Sequence, residues 1–433
     1  MTYFLLPKTY SKTYESIHYS ELDSSGSPVF ISGTLSQYLS SLKEKITPIE
    51  RAWDIHKKYT NPYEYIHTPV PMKKKSVAKT KPISRSYFKM VEILHLFDLI
   101  PEVDVSIHQS LSNNHKQYSQ PIRTFHLAEG PGGFIEAIAT IRSNPHDKYY
   151  GMTLIDKTPN SAVPTWKKSD DFLGRFPNVC LEYGLDGTGN ILVLENLRYC
   201  KEQYGSSMDI ITGDGGFDFS IDFNQQEIAI AKLLYGQLAF AVTMQKKGGS
   251  FVLKIFDSFM KHTLDILYLL SSFYETVHVV KPKTSRYANS EKYIVCKGFL
   301  FDSHNDFFPF IERGFIQMIY TNSNIDKHNM IDNIIDSSNN MNTINSMGIP
   351  CRILSFELPY YFIQKIEEYN SIFGQKQIQN IHFTITLIEH KHKQDKIDTL
   401  IKTNIQKSIN WCMKYGINHN IFNPVTNIFL DNR

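Results

Sequence analysis

The chain is predicted to fold as an α/β protein around a mainly parallel sheet, and three observations lead there. Through the middle of its 433 residues, short β-prone apolar runs alternate with helix-compatible segments, the order that builds strand–helix–strand units. The run Thr124–Phe134, TFHLAEGPGGF, passes from a β-prone stretch through Gly130-Pro131-Gly132-Gly133 directly into FIEAIATIR. Glycines let backbone approach a ligand, and a helix N-terminus offers unpaired N–H groups; the same four residues would equally make a plain tight turn, and GxGxxG is absent. Polar or glycine features (Gly130, Asp156, Asp186, Asp214) recur at the expected carboxyl ends of the strands, the edge where such sheets bind ligands.

Taken in order, residues 1–33 are polar and Ser/Tyr-rich and support no assignment. Leu35 to Lys58 reads as two helical pieces broken near Pro48, with stripes Leu35/Leu39/Leu42 and Ile49/Trp53/Ile55 or His56. Ser84 is placed to cap an amphipathic helix carrying Met90, Ile93, Leu94 and Phe97, with Lys89 in an early turn. After the first strand and helix, strands are expected at Tyr149–Ile155, Val179–Tyr183 and Met208–Thr212. A helix from about Gln225 to Gln245 leads to a fifth strand, SFVLKIF. A helix from about Phe259 to Phe273, a strand Thr276–Val280 and a last strand Tyr293–Cys296 complete the set. Residues 321–347 are Asn- and Ser-rich, a loop or weakly ordered insert. Helical spacing then returns at Phe356, Tyr360, Ile363 and at Ile397, Leu400, Ile401, Ile405, Ile409; such helices either pack back on the sheet domain or dock a protein partner. The expected division is an N-terminal extension (1–80), the sheet domain (81–300) and a C-terminal region (301–433).

Composition narrows the function. Hydrophobic content of 42%, 21% charged residues and a net charge of +3 are ordinary for a globular chain, so a grip on nucleic acid would have to come from a local patch. Five scattered cysteines without a CxxC pair suggest neither disulfides nor a zinc site, and fit a reducing compartment. No signal-type segment and no apolar run of membrane length is present, so a soluble cytoplasmic protein is expected, with a nuclear location open. The basic run Lys73, Lys74, Lys75, Lys79, Lys81, set among Pro69, Pro71 and Pro82, is a solvated loop, a phosphate-contacting segment or a nuclear address. The lysine-bearing helix that follows, with Arg85 at its start, favours phosphate contact. His390-Lys391-His392-Lys393 reads as a solvated basic turn, and no metal-ligand spacing occurs.

Lys254 lies late in an apolar strand, where a lysine is costly unless it is paired, catalytic or reaching out to water. Glu291 opens the last strand. If that strand is antiparallel, its start shares an edge with Lys254 and Asp214, and the preceding helix could add Lys89.

At this point SRSYFKMVEI, LAEGPGGFIE, ITGDGG, GGSFVLKIF and SRYANSEKYIVCKGF resemble the RrmJ/FtsJ-type, S-adenosylmethionine-dependent RNA 2′-O-ribose methyltransferases. The resemblance spans roughly residues 50–300. It implies a Rossmann-like methyltransferase fold with an antiparallel last strand, and a Lys89–Asp214–Lys254–Glu291 tetrad. It also implies a cofactor site at Glu129, Gly130, Pro131, Gly132, Gly133, Phe134, Asp156, Asp186 and Asp214. TNPYEYI (Thr60–Ile66), GMTLIDK and GLDGTGNI are similar to the mRNA cap enzymes, which implies capped mRNA as the partner; ribosomal or other RNA is the alternative substrate. A catalytically silent RNA-binding scaffold is the alternative class, and its expected mark is a broken tetrad. In that chemistry Lys254 acts as base or oxyanion partner, the carboxylates orient the lysines, Lys89 fixes the 2′-oxygen, and no metal is needed. One departure stands out: His126 occupies the position where many members have an acid, with Glu129 three residues later. Richness in Asn, Ile and Lys points to an A+T-rich genome, such as that of a large DNA virus (with a viral factory or virion as its location) or a protist.

Overall fold

The computed structural model describes residues 3–10, 12–21, 29–100, 120–155, 165–166, 168–216, 226–320, 350–390, 392 and 394–422; Asp156 and the Asn-rich 321–347 lie outside the described residues. The N-terminal part supplies β1 (Tyr3–Leu5), β2 (Ile17–Glu21), α1 (Gly33–Glu44) and α2 (Glu50–Thr60), followed by α3 (Ser86–Phe97). The alternating region comprises β3 (Arg123–Leu127), α4 (Gly133–Arg142), β4 (Lys148–Met152), α5 (Asp170–Arg175), β5 (Val179–Glu182), α6 (Leu194–Tyr204) and β6 (Met208–Gly213). It continues with α7 (Gln226–Ala229), α8 (Ala231–Met244), β7 (Gln245–Ile255), α9 (Lys261–Phe273), β8 (Tyr274–Val280) and β9 (Lys292–Phe299). Beyond it lie α10 (Phe308–Tyr320), β10 (Pro350–Leu354), α11 (Tyr360–Glu389) and α12 (Gln394–Lys414).

The central sheet has eight strands in the order β1-β8-β9-β7-β6-β3-β4-β5. Strands β5, β4, β3, β6 and β7 run parallel. β9 is inserted antiparallel between β7 and β8, with Lys254 opposite Tyr293 and Ile255 opposite Lys292. This register carries the start of β9 to the end of β7, as an antiparallel last strand requires.

Alternation along each strand builds two cores. In β7, Phe251, Leu253 and Ile255 pack into one cluster with α8, α9, α10 and α11, while Val252 faces a second with α3, α4 and α12. Sheet faces covered on both sides explain the nearly continuous apolar strands. A buried bidentate pair fixes the first strand–helix–strand unit: Arg142 Nε and Nη2 donate to Asp147 at 2.8 and 2.9 Å, and Asp147 also accepts from Ile122 N and the Tyr149 hydroxyl.

Several boundaries differ from the sequence reading for local reasons. The helix expected from Gln225 breaks into α7 and α8, where buried Glu227 accepts the Phe259 and Met260 amides. β7 starts five residues early, held by Gln245 Nε2 donating to Met208 O at 2.7 Å. Ser84 does not cap α3; its hydroxyl bonds that of Ser86. The unassigned N-terminus contributes edge strand β1, antiparallel to β8, and β2, antiparallel to β10. In α2 it is His56, not exposed Ile55, that completes the stripe with Trp53. The C-terminal helices pack back: α12 buries Trp411 and Cys412, and Tyr415 just after it, against α3, with the Trp411 ring edge-on to Phe88 at 5.8 Å.

Candidate active site

Four elements converge at the carboxyl edge of the sheet. Asp214 follows β6, with its amide donated to Leu127 O at the end of β3. Lys254 is the penultimate residue of β7, Glu291 immediately precedes β9, and Lys89 occupies the second turn of α3. Their side chains form two ion pairs: Lys89 Nζ to Glu291 Oε2 at 2.8 Å, and Lys254 Nζ to Asp214 Oδ1 at 3.2 Å. Lys254 also donates to the Asp214 carbonyl at 2.7 Å. The Tyr293 hydroxyl lies between the pairs, 3.5 Å from Lys89 Nζ and 3.4 Å from Asp214 Oδ1. All four charged side chains are 10–16% exposed, dry enough for strong coupling yet open to a ligand.

Cations outnumber the carboxylate at Glu291. Burial pushes its carboxyl pKa up, but the Lys89 and Lys254 ammoniums, with the bond from Lys89, bring it well below the usual carboxylate range. Burial drives Lys89 the other way, below the ordinary lysine value, and Glu291 recovers only part of that loss because Arg85 opposes it.

The glycine turn abuts this cluster. Glu129 is buried; its Oε1 accepts the Phe134 amide at 2.6 Å, while its Oε2 has no hydrogen-bond partner among the described residues. Burial, against the pull of that amide and with repulsion from Asp214, holds its pKa well above the ordinary value. The glycines serve packing as well as any ligand. A Cβ on Gly133 would stand 2.1 Å from both Ser84 Oγ and Ser86 Oγ, so the start of α3 sits directly on the turn. Gly132 has φ +114°, a region side chains rarely adopt. Gly130 and Pro131 complete the turn between β3 and α4, and Phe134 follows in the first turn of that helix.

His126 lies within the sheet. Its two ring nitrogens bond Thr124 Oγ1 at 2.8 Å and Thr212 Oγ1 at 2.7 Å, which uses both. Asp186 is an exposed residue of the DGTGN turn: its Oδ1 accepts from Thr188 N, Thr188 Oγ1 and Asn196 Nδ2. The turn is docked on the end of β4 through Ile155 N to Thr188 O. Asp156 falls outside the described residues. Lys73, Lys74, Lys75, Lys79 and Lys81 are exposed on the loop leading to α3. A cleft of about 240 Å³ there is lined by His67, Ser76, Thr80, Lys81, Ser84 and Arg85. Arg85 is engaged as well, donating to Thr284 O at 3.3 Å. No cluster of three or more metal-ligating side chains exists among the described residues, and none of their helices is long and apolar enough to cross a membrane.

Sequence reasoning missed the residues that hold the 281–291 loop. Ser285 Oγ donates to Glu291 Oε1 at 2.8 Å, so both oxygens of Glu291 are occupied. Lys281 Nζ binds Asn289 O and Glu291 O at 2.6 and 2.7 Å. Glu92, one turn beyond Lys89, accepts the Lys283 and Thr284 amides at 3.0 and 3.2 Å. A glutamate in an otherwise apolar helix was the signal available for Glu92; the others lie in a polar loop that offers none.

Comparison with known proteins agrees with this architecture. The FtsJ-like methyltransferase family matches residues 82–299, half of the chain, and the chain belongs to that family. It is 40% identical over 173 residues to the cap-specific mRNA (nucleoside-2′-O-)-methyltransferase 1 of Trypanosoma brucei brucei, covering 40% of this chain and 45% of that protein. The protein of the same name from Leishmania braziliensis is 38% identical over 177 residues, covering 40% and 42%. The human one is 32% identical over 234 residues, covering 50% and 26%. The matches thus span less than half the length of each of these relatives.

Burial of His126 has a measurable consequence. Its pKa is pushed from 6.5 down to about 3 by burial, so below pH 6.5 the unfolded chain takes up a proton that the folded chain refuses. Stability should therefore fall with decreasing pH, by at most about 1.4 kcal/mol per pH unit for this one group. Urea unfolding between pH 6 and 5 should show a shallower slope for His126→Gln than for the parent protein. Identical slopes would place the proton uptake elsewhere.

Proposed function

Starting from membership of the FtsJ-like methyltransferases, we propose that this chain transfers a methyl group from S-adenosylmethionine to the ribose 2′-hydroxyl of a cap-proximal nucleotide of mRNA. The observation that carries the reading is the convergence of the Lys89–Glu291 and Lys254–Asp214 pairs beside a glycine turn. Curated relatives named as cap-specific 2′-O-methyltransferases support the choice of capped mRNA.

The turn fits the cofactor. The unpartnered, buried Glu129 Oε2 is a ready acceptor for the ammonium of the cofactor's amino-acid end, and that positive charge would favour the ionised carboxylate. Gly130 to Phe134 would frame the same end. Asp186, with Oδ1 committed to its turn, would offer Oδ2 to the adenosine side; Asp156 and Asp214 complete the proposed set. When bound, the cofactor supplies a methyl group already activated by a sulfonium.

The chain's own task is to make a ribose hydroxyl nucleophilic and hold it in line. As an ammonium, Lys254 would stabilise the developing 2′-oxyanion; only after releasing its own proton to water would its Nζ take the hydroxyl proton during methyl transfer. Asp214 holds that nitrogen through its carboxylate and its carbonyl. Lys89, kept in place by Glu291, fixes the 2′-oxygen, and such positioning supplies a large part of the rate. The exposed lysines 73–81, with Arg85 at the mouth of the adjoining cleft, would carry RNA phosphates. A silent RNA-binding scaffold would not need all four tetrad positions filled and in contact.

Label from methyl-tritiated cofactor is expected to enter capped transcripts, and to be lost when the cap-proximal nucleotides are 2′-deoxy. Labelling confined to ribosomal RNA would move the substrate assignment. Replacing Lys73, Lys74, Lys75, Lys79 and Lys81 by alanine should weaken RNA binding and flatten its dependence on log salt, by up to about 0.7 in slope for each phosphate of a single strand that is no longer neutralised. An unchanged slope would show that those lysines do not meet phosphate.

A further inference from the structure

The Thr60–Ile66 segment lies far along the chain from Glu291, yet it grips the loop that presents that residue. Glu64 is fully buried and accepts from Arg286 twice, Nη2 to Oε1 at 2.6 Å and Nε to Oε2 at 3.0 Å. Asn61 Nδ2 and Thr68 Oγ1 occupy the same carboxylate at 2.7 and 3.0 Å. Burial raises the cost of its charge, but Arg286 outweighs that and holds Glu64 well below the usual carboxylate range.

A bidentate arginine–carboxylate contact fixes orientation as well as distance. A buried ion pair is a poor means of gaining stability alone, because desolvation offsets much of the attraction. Its location suggests what else it does. Arg286 directly follows Ser285, and Ser285 Oγ donates to the Glu291 oxygen that Lys89 does not hold. A continuous chain of contacts therefore runs Glu64–Arg286–Ser285–Glu291–Lys89. Arg85, one turn before Lys89, closes the same loop from the other side at Thr284 O.

We infer that Glu64 and Arg286 are positioning residues for methyl transfer, setting through Ser285 the angle at which Glu291 meets Lys89. The inference rests on the transfer reaction proposed above. It goes beyond that proposal by giving the N-terminal extension a role at the tetrad.

The test combines kinetics with amide hydrogen exchange on the full chain. Glu64→Gln should lower kcat for capped RNA at least tenfold, with cofactor affinity unchanged within twofold and faster exchange confined to residues 282–291. In a Glu291→Gln background the same substitution should have no further effect on kcat, because the group it positions is gone. Arg286→Lys, which keeps the charge but loses the fork, should behave like Glu64→Gln. Ser285→Ala, a smaller change that spares the pair, should lower kcat only in the presence of Glu291. Equal losses in both backgrounds, or exchange unchanged at 282–291, would overturn the inference. Should the parent chain methylate no RNA, the transfer reading fails, and exchange alone then decides whether the pair holds the loop.

Discussion

The arrangement depends on keeping an excess of positive charge in a half-dry site. Lysines 89, 254 and 281 surround Glu291, and the field they create keeps that carboxyl ionised while burial weakens the hold of Lys89 on its proton. Such a cluster is more secure when its members make hydrogen bonds besides their ion pairs. Lys254 has the Asp214 carbonyl, Glu291 has Ser285, and Lys281 has the carbonyls of Asn289 and Glu291. The sheet makes this possible, because insertion of β9 antiparallel beside β7 brings a strand start to a strand end.

The glycine turn has a second dependency. Gly133 is the point where α3 rests on α4, and any side chain there would collide with two serine hydroxyls. The proposed cofactor cradle and the helix carrying Lys89 are therefore one packed unit. A turn read only as a ligand cradle misses this, because the two serines that fill the space above Gly133 come from 47 and 49 residues earlier in the chain.

Much of this was legible from residue order. Strand and helix alternation gave the parallel part of the sheet, since strands covered on both faces read as apolar runs bounded by turns. Lys254 and Glu291 could be found because a charge in or beside such a run is costly without a purpose. The unread parts share a cause. β1, β2 and β10 lie outside the strand–helix alternation that exposes strands of similar length, and the antiparallel partners that stabilise them are distant in sequence. Ser84 had the residue type of a cap, but its hydroxyl is captured by Ser86. His126 looked like a cofactor-site departure; the threonines of its own and the neighbouring strand consume it. Glu64, within a motif noticed only by resemblance, meets Arg286 across 222 residues, a pairing that no local pattern encodes.

If the paired lysines and carboxylates carry out the proposed methyl transfer, Lys254 is the residue on which it turns. Single-turnover transfer to capped RNA should be compared between the parent chain and Lys254→Ala, with cofactor affinity measured in parallel by calorimetry. The rate should fall at least about 10²-fold with cofactor affinity essentially unchanged. A Lys254→Ala protein that methylates at a rate within a few-fold of the parent would rule out that role for Lys254.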